Sequence, residues 1–558
     1  ISPATGTEPV ETDRVEPTIA PLTDENRVIE KPKIENTNQA GADYKITYPD
    51  SGNSYLVRQY PSDAGGGFFA FPEGGRADDT ISIDSNSMRD VVSALSDTER
   101  QARSTTQPVQ DQVPAATTPA PVGQPTDAGY QRTPIARWNI VPGQIVASEF
   151  ELGVVAFHMN GIAYVEFSAN GGDWVQSNQM YTNPRTGNRE FWVTLNTPQN
   201  YSGDIEVRAR VIPFGAGTPL VLQNSEDTSG EFRESIKSIR LGYHSMFLKG
   251  PASFPSSNTF YVSLGGSDSG PGNKAMPFAT LTRAISQLKT LQSFEGSEII
   301  ITSPGEYEGF GGAGWDNGNG WLTIRADASL DVDDPDQRVS IGAATQCGPY
   351  PCVKPNGSMI RWVNIGFDAD VTFYQQTLHD ELVWFDSCLF YDTLGWESAR
   401  SWGVINTNQK GRGYIVTNCR AFDRESGFNG GILSRNCELE KISGDALSNC
   451  NMAIDCWIDT QHNVIDGNHC DVYQLFGSST DLLKKNYIAF GIRASNLIGV
   501  QAFLLDKTNS IFENIAIVDM AIESPNGETE KSQINSSCTH VFISNVSIPN
   551  QGFVLRDD

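Results

Sequence analysis

Hydrophobic and polar residues change rhythm several times along the chain, and each rhythm predicts a different element. Ile205-Glu-Val-Arg-Ala-Arg-Val-Ile212 alternates strictly, the period of a strand with one face buried and one wet. Tyr44-Lys-Ile-Thr-Tyr48 and Tyr55-Leu-Val-Arg-Gln-Tyr60 alternate on either side of Asp50-Ser-Gly-Asn53, a hairpin pattern that Phe68, Phe69 and Phe71 can extend into a small sheet. Gly153-Val-Val-Ala-Phe-His-Met159, Ile162-Ala-Tyr-Val-Glu-Phe-Ser168 and Glu190-Phe-Trp-Val-Thr-Leu195 read as further strands, and Asn170, Gly171 and Gly172 supply the positive-φ residues of a turn. Two stretches follow the helical period. Ser87-Met-Arg-Asp90 resembles a capping box ahead of Met88, Val91, Val92 and Leu95. Phe278, Leu281, Ala284, Ile285, Leu288 and Leu291 form one apolar stripe over 277–292. Ser297-Glu-Ile-Ile-Ile-Thr302 is then a strand turned by Pro304 and Gly305.

Beyond that point a short apolar strand carrying Asn, or a small polar or acidic residue, keeps returning. It appears at Asn364, Ser387, Asn418, Asn436, Asp455, Asn468, Asn486, Asn514 and Asn545, at irregular intervals. Such a period means stacked coils with variable loops. Asn suits a coil corner because it tolerates the left-handed backbone and its amide can bond its counterpart one coil along. Other stretches have nothing to bury. Residues 1–42 carry Pro3, Pro9, Pro17, Pro21 and Pro32 among acidic side chains, and 104–132 are rich in Pro, Thr and Gln. These read as an extended arm and a linker on either side of the small sheet and helix of 43–103. Residues 133–250 form a sandwich-like unit and 260–558 the stacked coils.

Composition narrows the partners. The 558 residues hold 67 acidic against 40 basic side chains, a net charge of −27, which disfavours nucleic acid and anionic lipid and leaves neutral glycans or calcium. No run approaches the ~18 apolar residues that would insert in a bilayer. The chain begins at Ile1, which reads as a processed or trimmed product.

The segment Tyr261-Val-Ser-Leu-Gly-Gly-Ser-Asp-Ser-Gly-Pro-Gly-Asn-Lys-Ala-Met-Pro-Phe-Ala-Thr-Leu-Thr-Arg-Ala-Ile285 resembles the entry to right-handed parallel β-helix proteins of the pectate-lyase-like superfamily. The resemblance covers 260–558 and implies an all-β solenoid whose open end is closed by the helix at 277–292. Val165-Glu-Phe-Ser-Ala-Asn-Gly-Gly-Asp-Trp174 resembles immunoglobulin-like sandwich modules of secreted proteins, without the inter-sheet cysteine pair. The order of modules resembles surface proteins and tail-spike or fibre proteins of marine bacteria and their phages. The catalytic motifs of the superfamily are missing. There is no Arg-x-Pro-x-x-Arg of pectate lyases, no paired Asp with Gly-His-Gly and Arg-Ile-Lys of polygalacturonases, and no Tyr-Gly-Phe-Asp-Pro-His of mannuronan epimerases. The resemblance therefore carries over a fold and no catalytic residue.

Four sets of residues are candidates for chemistry. Asp455, Asp459, His462, Asp466, His469 and Asp471 are the densest titratable cluster; paired carboxylates can cleave a glycosidic bond, while the bland reading is solvated loops. Trp315, Trp321, Trp396, Trp402 and Trp457 can stack on sugar rings or simply pack against the solenoid wall. Asp331, Asp333, Asp334 and Asp336 are hard oxygen donors of the kind Ca²⁺ takes, set against a solvated turn at Pro335. Cys347 and Cys352, in Cys-Gly-Pro-Tyr-Pro-Cys, can form a local disulfide in an oxidising compartment. Cys388, Cys419, Cys437 and Cys456 each follow a corner residue and read as a column of small interior fillers, with a redox or metal ladder as the alternative.

The expectation is an extracellular, cell-surface or virion-borne structural or adhesive protein. Its sandwich acts as a spacer, and its β-helix meets a polysaccharide or surface glycan, or neighbouring subunits of a homo-oligomer or larger assembly. A polysaccharide lyase or glycoside hydrolase is the alternative, and no cofactor is required beyond a possible Ca²⁺.

Overall fold

The computed structural model describes seven strand segments within residues 1–132 and most of 133–558. Outside the described residues lie the rest of 1–132, the stretches 183–188, 224–244, 310–319, 354–358, 373–381, 392–404, 407–412, 463–469, 477–482, 507–510 and 524–528, and several shorter loops and the last two residues. The chain divides into two units, Ile1–Gln124 and Pro125–Asp558. The first contains a five-stranded antiparallel meander, Lys33–Asn36, Tyr44–Thr47, Ser54–Gln59, Phe68–Pro72 and Ile81–Ile83. The hairpin at 44–60 is there, and Lys33–Asn36 pairs with it, so the arm ends sooner than its composition implies. The helix expected after Ser87 lies outside the described residues.

Among the described residues the second unit is all-β apart from one capping helix. From Thr259 onward, parallel strands stack coil on coil into a β-helix. Two of its long sheets meet at a corner one residue wide. That residue is left-handed from the third strand pair on: Asn364, Ser387, Asn418, Asn436, Asp455, Gly491, Asp519 and Asn545, with φ between 52° and 72°. Side-chain amides tie the corners together: Asn436 Nδ2 donates to Asn418 Oδ1 (2.8 Å), Asn418 Nδ2 to Asp386 Oδ1 (3.1 Å), and Asn545 Nδ2 to Asp519 Oδ1 (2.7 Å). Asn and Asp recur because they adopt this conformation at less cost than other side chains. Asn486 does not belong to this column. It begins another with Asn514 and His540, linked at 3.1 and 2.6 Å, and Asn468 lies outside the described residues.

The residue after each corner points inward. Ile365, Cys388, Cys419, Cys437, Cys456, Ile492 and Met520 are all buried at 2% exposure or less. The cysteines are thus interior filler at one register, as their spacing predicts. Wider coils are filled by Trp362, Phe367, Phe385, Phe390 and Phe428, in contact at ring separations of 5.3–5.9 Å.

The entry segment closes the first coil. Asp268 accepts from the backbone N–H groups of Ala279 and Thr280 (2.9 and 3.0 Å), and the Thr280 hydroxyl caps Arg283 N–H at 3.1 Å. The helix Leu281–Leu291 follows, with Leu281, Ala284, Ile285 and Leu288 buried on the solenoid end. Leu291 is exposed instead, one residue before the left-handed cap at Gln292. Gly266 and Gly272 are needed here, since a Cβ on either would sit about 2 Å from Phe278.

The sandwich is where the structure departs from expectation. It consists of one sheet ordered Gln179–Thr182, Arg189–Asn196, Glu149–Phe157, Ile135–Trp138, facing a second built on Ile162–Ala169 and Asp204–Pro213. Rather than standing ahead of the β-helix as a spacer, it lies along the solenoid's flank. Its first sheet packs on the outward face of the solenoid's first sheet, so it is buried on both sides. Ala136, Trp138, Leu152 and Val154 enter the sandwich core. Ile135, Val155 and Phe157 join Trp321, Trp384, Ile415, Leu433, Met452, Ile454, Ile488, Phe490 and Val518 of the solenoid. Phe157 meets Phe490 edge-on at 5.0 Å and lies parallel to Phe542 at 6.2 Å. The seam holds a cavity of about 20 Å³ beside Arg137, Pro142 and Met452, room for a single water and not for a sugar ring.

Candidate functional site

The solenoid places the three described carboxylates of the titratable set apart around its circumference. Asp455 is a corner residue, 1% exposed, beneath the sandwich. Asp459 stands on the outward face of the second sheet, where it accepts from Ser495 Oγ and Asn496 Nδ2, both at 2.7 Å. Asp471 lies on the third sheet, fully buried, and accepts from Gln474 Nε2 at 3.0 Å. His462 ends the strand Trp457–His462, its side chain outside the described residues, as are Asp466 and His469. The three described carboxylates, on a corner and two different sheets, do not flank one bond.

The tryptophans divide similarly. Trp321 does not face solvent: it is 6% exposed, donates its indole N–H to Pro142 O at 2.8 Å, and meets Trp384 edge-on at 5.6 Å inside the seam. Trp315, Trp396 and Trp402 lie outside the described residues. Trp457 is 38% exposed. The four aspartates are taken up locally. Asp331 Oδ1 accepts from Asp333 N–H and Asp334 Oδ1 from Asp336 N–H, both at 2.9 Å, and Asp333 pairs with Arg420 at 2.6 Å. Among the described residues no three His, Cys, Asp or Glu side chains are arranged to hold a metal ion, and Asp331 and Asp334 serve as turn-forming carboxylates. Cys347 and Cys352 fall on paired antiparallel strands, opposite Tyr350 and Thr345 respectively, and their side chains lie outside the described residues.

What remains exposed and organised is the outward face of the second sheet. Its registers place Arg420, Glu438, Trp457, Arg493 and Ala521 in one column. Phe422, Glu440, Asp459, Ser495 and Glu523 form the next column, two residues further along each strand. At one end Tyr391 and Phe422 stack at 5.8 Å, with the Arg338 guanidinium 4.7 Å from the Tyr391 ring. Arg493 is turned to Asp519 at 3.1 Å. An aromatic plane thus stands on a rigid wall with hydrogen-bonding carboxylates beside it. Such a surface offers a sugar an apolar contact for its C–H face and acceptors for its hydroxyls.

A second set, with no signal in the sequence, lies inside the seam. Glu190 is completely buried on the sandwich face that meets the solenoid. Its Oε2 accepts from Asn139 Nδ2 and from Trp192 Nε1 (3.1 Å), and Oε1 has no hydrogen-bond partner among the described residues. Across the seam stand Arg435 and Asp455. The Arg435 guanidinium lies 5.6 Å from the Trp192 ring and donates to Asn139 O at 3.3 Å. Burial pushes the Glu190 carboxyl up to about 7; Arg435 pulls against this and Asp455 adds to it. Arg137, on the same sheet face, donates to the carbonyl of Asn486. Inside the solenoid, burial lifts the Cys450 thiol to about 12 and raises that of Cys419. A hydrogen bond with Cys437, together with burial, raises that of Cys456. These are inert thiols.

No protein-family model and no curated protein matches the chain. Among solved structures it is similar to a rhamnogalacturonan lyase, at 14% identity and a TM-score of 0.27, over 53% of this chain and 87% of that one. It is also similar to XylC in complex with xylose, at 10% identity and a TM-score of 0.21, over 50% of this chain and 69% of that one. At such distances the fold assignment stands on the ladder itself: parallel registers, left-handed corners and one interior running from Val262 to Ile534.

Proposed function

We propose that the chain is a structural or adhesive β-helix that meets carbohydrate on the outward face of its second sheet. The observation that carries this reading is Trp457, exposed on a rigid sheet and two residues from Asp459, whose carboxylate is fixed by Ser495 and Asn496. Substituting Trp457→Ala removes the stacking plane and nothing from the core. Binding to a panel of neutral and acidic polysaccharides should weaken at least tenfold while the urea midpoint stays unchanged. Wild-type protein that binds none of the panel, or binding that survives the substitution, would reject the reading.

Cleavage is the second reading, and one observation favours it. Glu440 and Asp459 are register partners on neighbouring coils, so two carboxylates stand side by side on this face, as paired-carboxylate glycoside hydrolysis uses. New reducing ends in the same polysaccharide panel, lost in Asp459→Asn, would move the assignment to a hydrolase.

A further inference from the structure

The most costly group in the sandwich–solenoid seam is Glu190. A carboxylate placed here has lost all contact with water, and one of its oxygens has no hydrogen bond among the described residues. The charged groups facing it are Arg435 and Asp455 from the solenoid, with Arg137 on its own sheet face. Arg435 sits against Trp192 and donates to Asn139 O, and its charge and that of Asp455 act on Glu190 in opposite directions. Arg137 is turned to the carbonyl of Asn486, so Arg435 is the guanidinium that acts on Glu190, with Asp455 opposing it, and an ion left poorly compensated in a buried site is costly. Protonating Glu190 removes that cost while Oε2 keeps both of its donors.

We propose that Glu190 seals the sandwich against the solenoid as a neutral carboxyl group, making the seam a contact that acid strengthens and neutral-to-alkaline pH weakens.

The direction follows from linkage. Released into water, Glu190 would ionise near 4.5, whereas in the seam it does so near 7. Below about 4.5 both states are neutral and the contact is at full strength. Between about 4.5 and about 7 the docked form holds a proton that the released form has lost. Each pH unit in that window weakens docking by roughly tenfold, up to about 300-fold over the whole shift. Above about 7 both forms are ionised and the loss levels off. The inference is independent of any carbohydrate partner.

The test uses the full chain. Glu190→Gln keeps the shape and both acceptor contacts and cannot ionise. Wild type and variant should have equal urea midpoints near pH 4.5, and the wild type should fall progressively behind as the pH rises to 7.5. A gap that is the same at every pH would overturn the proposal. Infrared spectroscopy at pH 6 supplies a readout that does not depend on stability. The carbonyl band of a protonated carboxylic acid should be present in wild type and absent in Glu190→Gln; a spectrum identical in the two would show Glu190 ionised and overturn the proposal too. Should Glu190→Gln fail to fold, Asp455→Asn serves instead, since asparagine already fills the equivalent corner at 418 and 436. Removing that charge lets Glu190 ionise at a lower pH, so the infrared band should be lost at a lower pH than in wild type. A band that titrates unchanged would contradict the geometry.

Discussion

Phe490 separates a sandwich clamped to the solenoid from one that merely precedes it. Its side chain is on the outward face of the first sheet, flanked in its column by Ile454 and Val518 on the adjoining coils. On a bare solenoid that face is wet, and truncation there would change stability by no more than about 0.5 kcal/mol. With the sandwich in place Phe490 is 3% exposed and meets the edge of Phe157 at 5.0 Å. Phe490→Ala then removes a buried aromatic worth about 1.5–3 kcal/mol in transfer and a ring pair worth about 0.5–1.5 kcal/mol. The column neighbours retain part of the packing, so the expected loss is about 2–3 kcal/mol. Urea unfolding followed by tryptophan fluorescence reads it directly, because Trp321 and Trp384 line the same seam. Phe157→Ala should cost a similar amount, and the double variant less than the sum of the two, since the partners share one contact. A Phe490→Ala midpoint equal to wild type, or strict additivity with Phe157→Ala, would refute the docked arrangement.

The interior and its corners make two further predictions. Alkylating reagents should not label Cys388, Cys419, Cys437 or Cys456 in native protein; Cys437→Ala should cost roughly 1 kcal/mol, whereas Cys437→Asp, an unpaired buried charge, should abolish soluble folded protein. Asn436→Ala places an ordinary side chain at φ 53° and deletes the amide bond to Asn418, so about 2 kcal/mol should be lost in urea unfolding; Asn436→Gly should recover the backbone part, and an equal loss in both would put the cost in the hydrogen bond alone.

The solenoid was legible because its signals are local. The corner residue and the small filler after it are each written in a few adjacent positions and return coil by coil, and the Asp268-capped helix is written in as short a stretch at the entry. Neighbours in sequence are not neighbours on a solenoid. Asp455, Asp459 and Asp471 are 4 and 12 residues apart, yet in that span the coil passes from a corner through its second sheet to its third. The docking of the sandwich had a signal that was not used. Ile205–Ile212 alternates because one of its faces is wet, while Gly153–Phe157 is apolar almost throughout, the pattern of a strand buried on both faces. Trp192 lies flat over Gly153, where a Cβ would meet the indole at 2.6 Å, so that glycine also marked a covered face. Glu190 could not be found this way. A single acidic residue at the start of a strand reads as solvated until the opposing wall is known.

A stack of coils is ordinarily weakest at its ends, where the last rung can peel away without disturbing those behind it. Here the sandwich is joined through the backbone to the first coil and packed against rungs from Trp321 to Phe542. It therefore works as a splint. The coil that carries Phe542 cannot fray without also breaking its contact with Phe157. A pull applied at residue 133 is borne in shear across a broad apolar face, not concentrated on the opening hydrogen bonds of one strand.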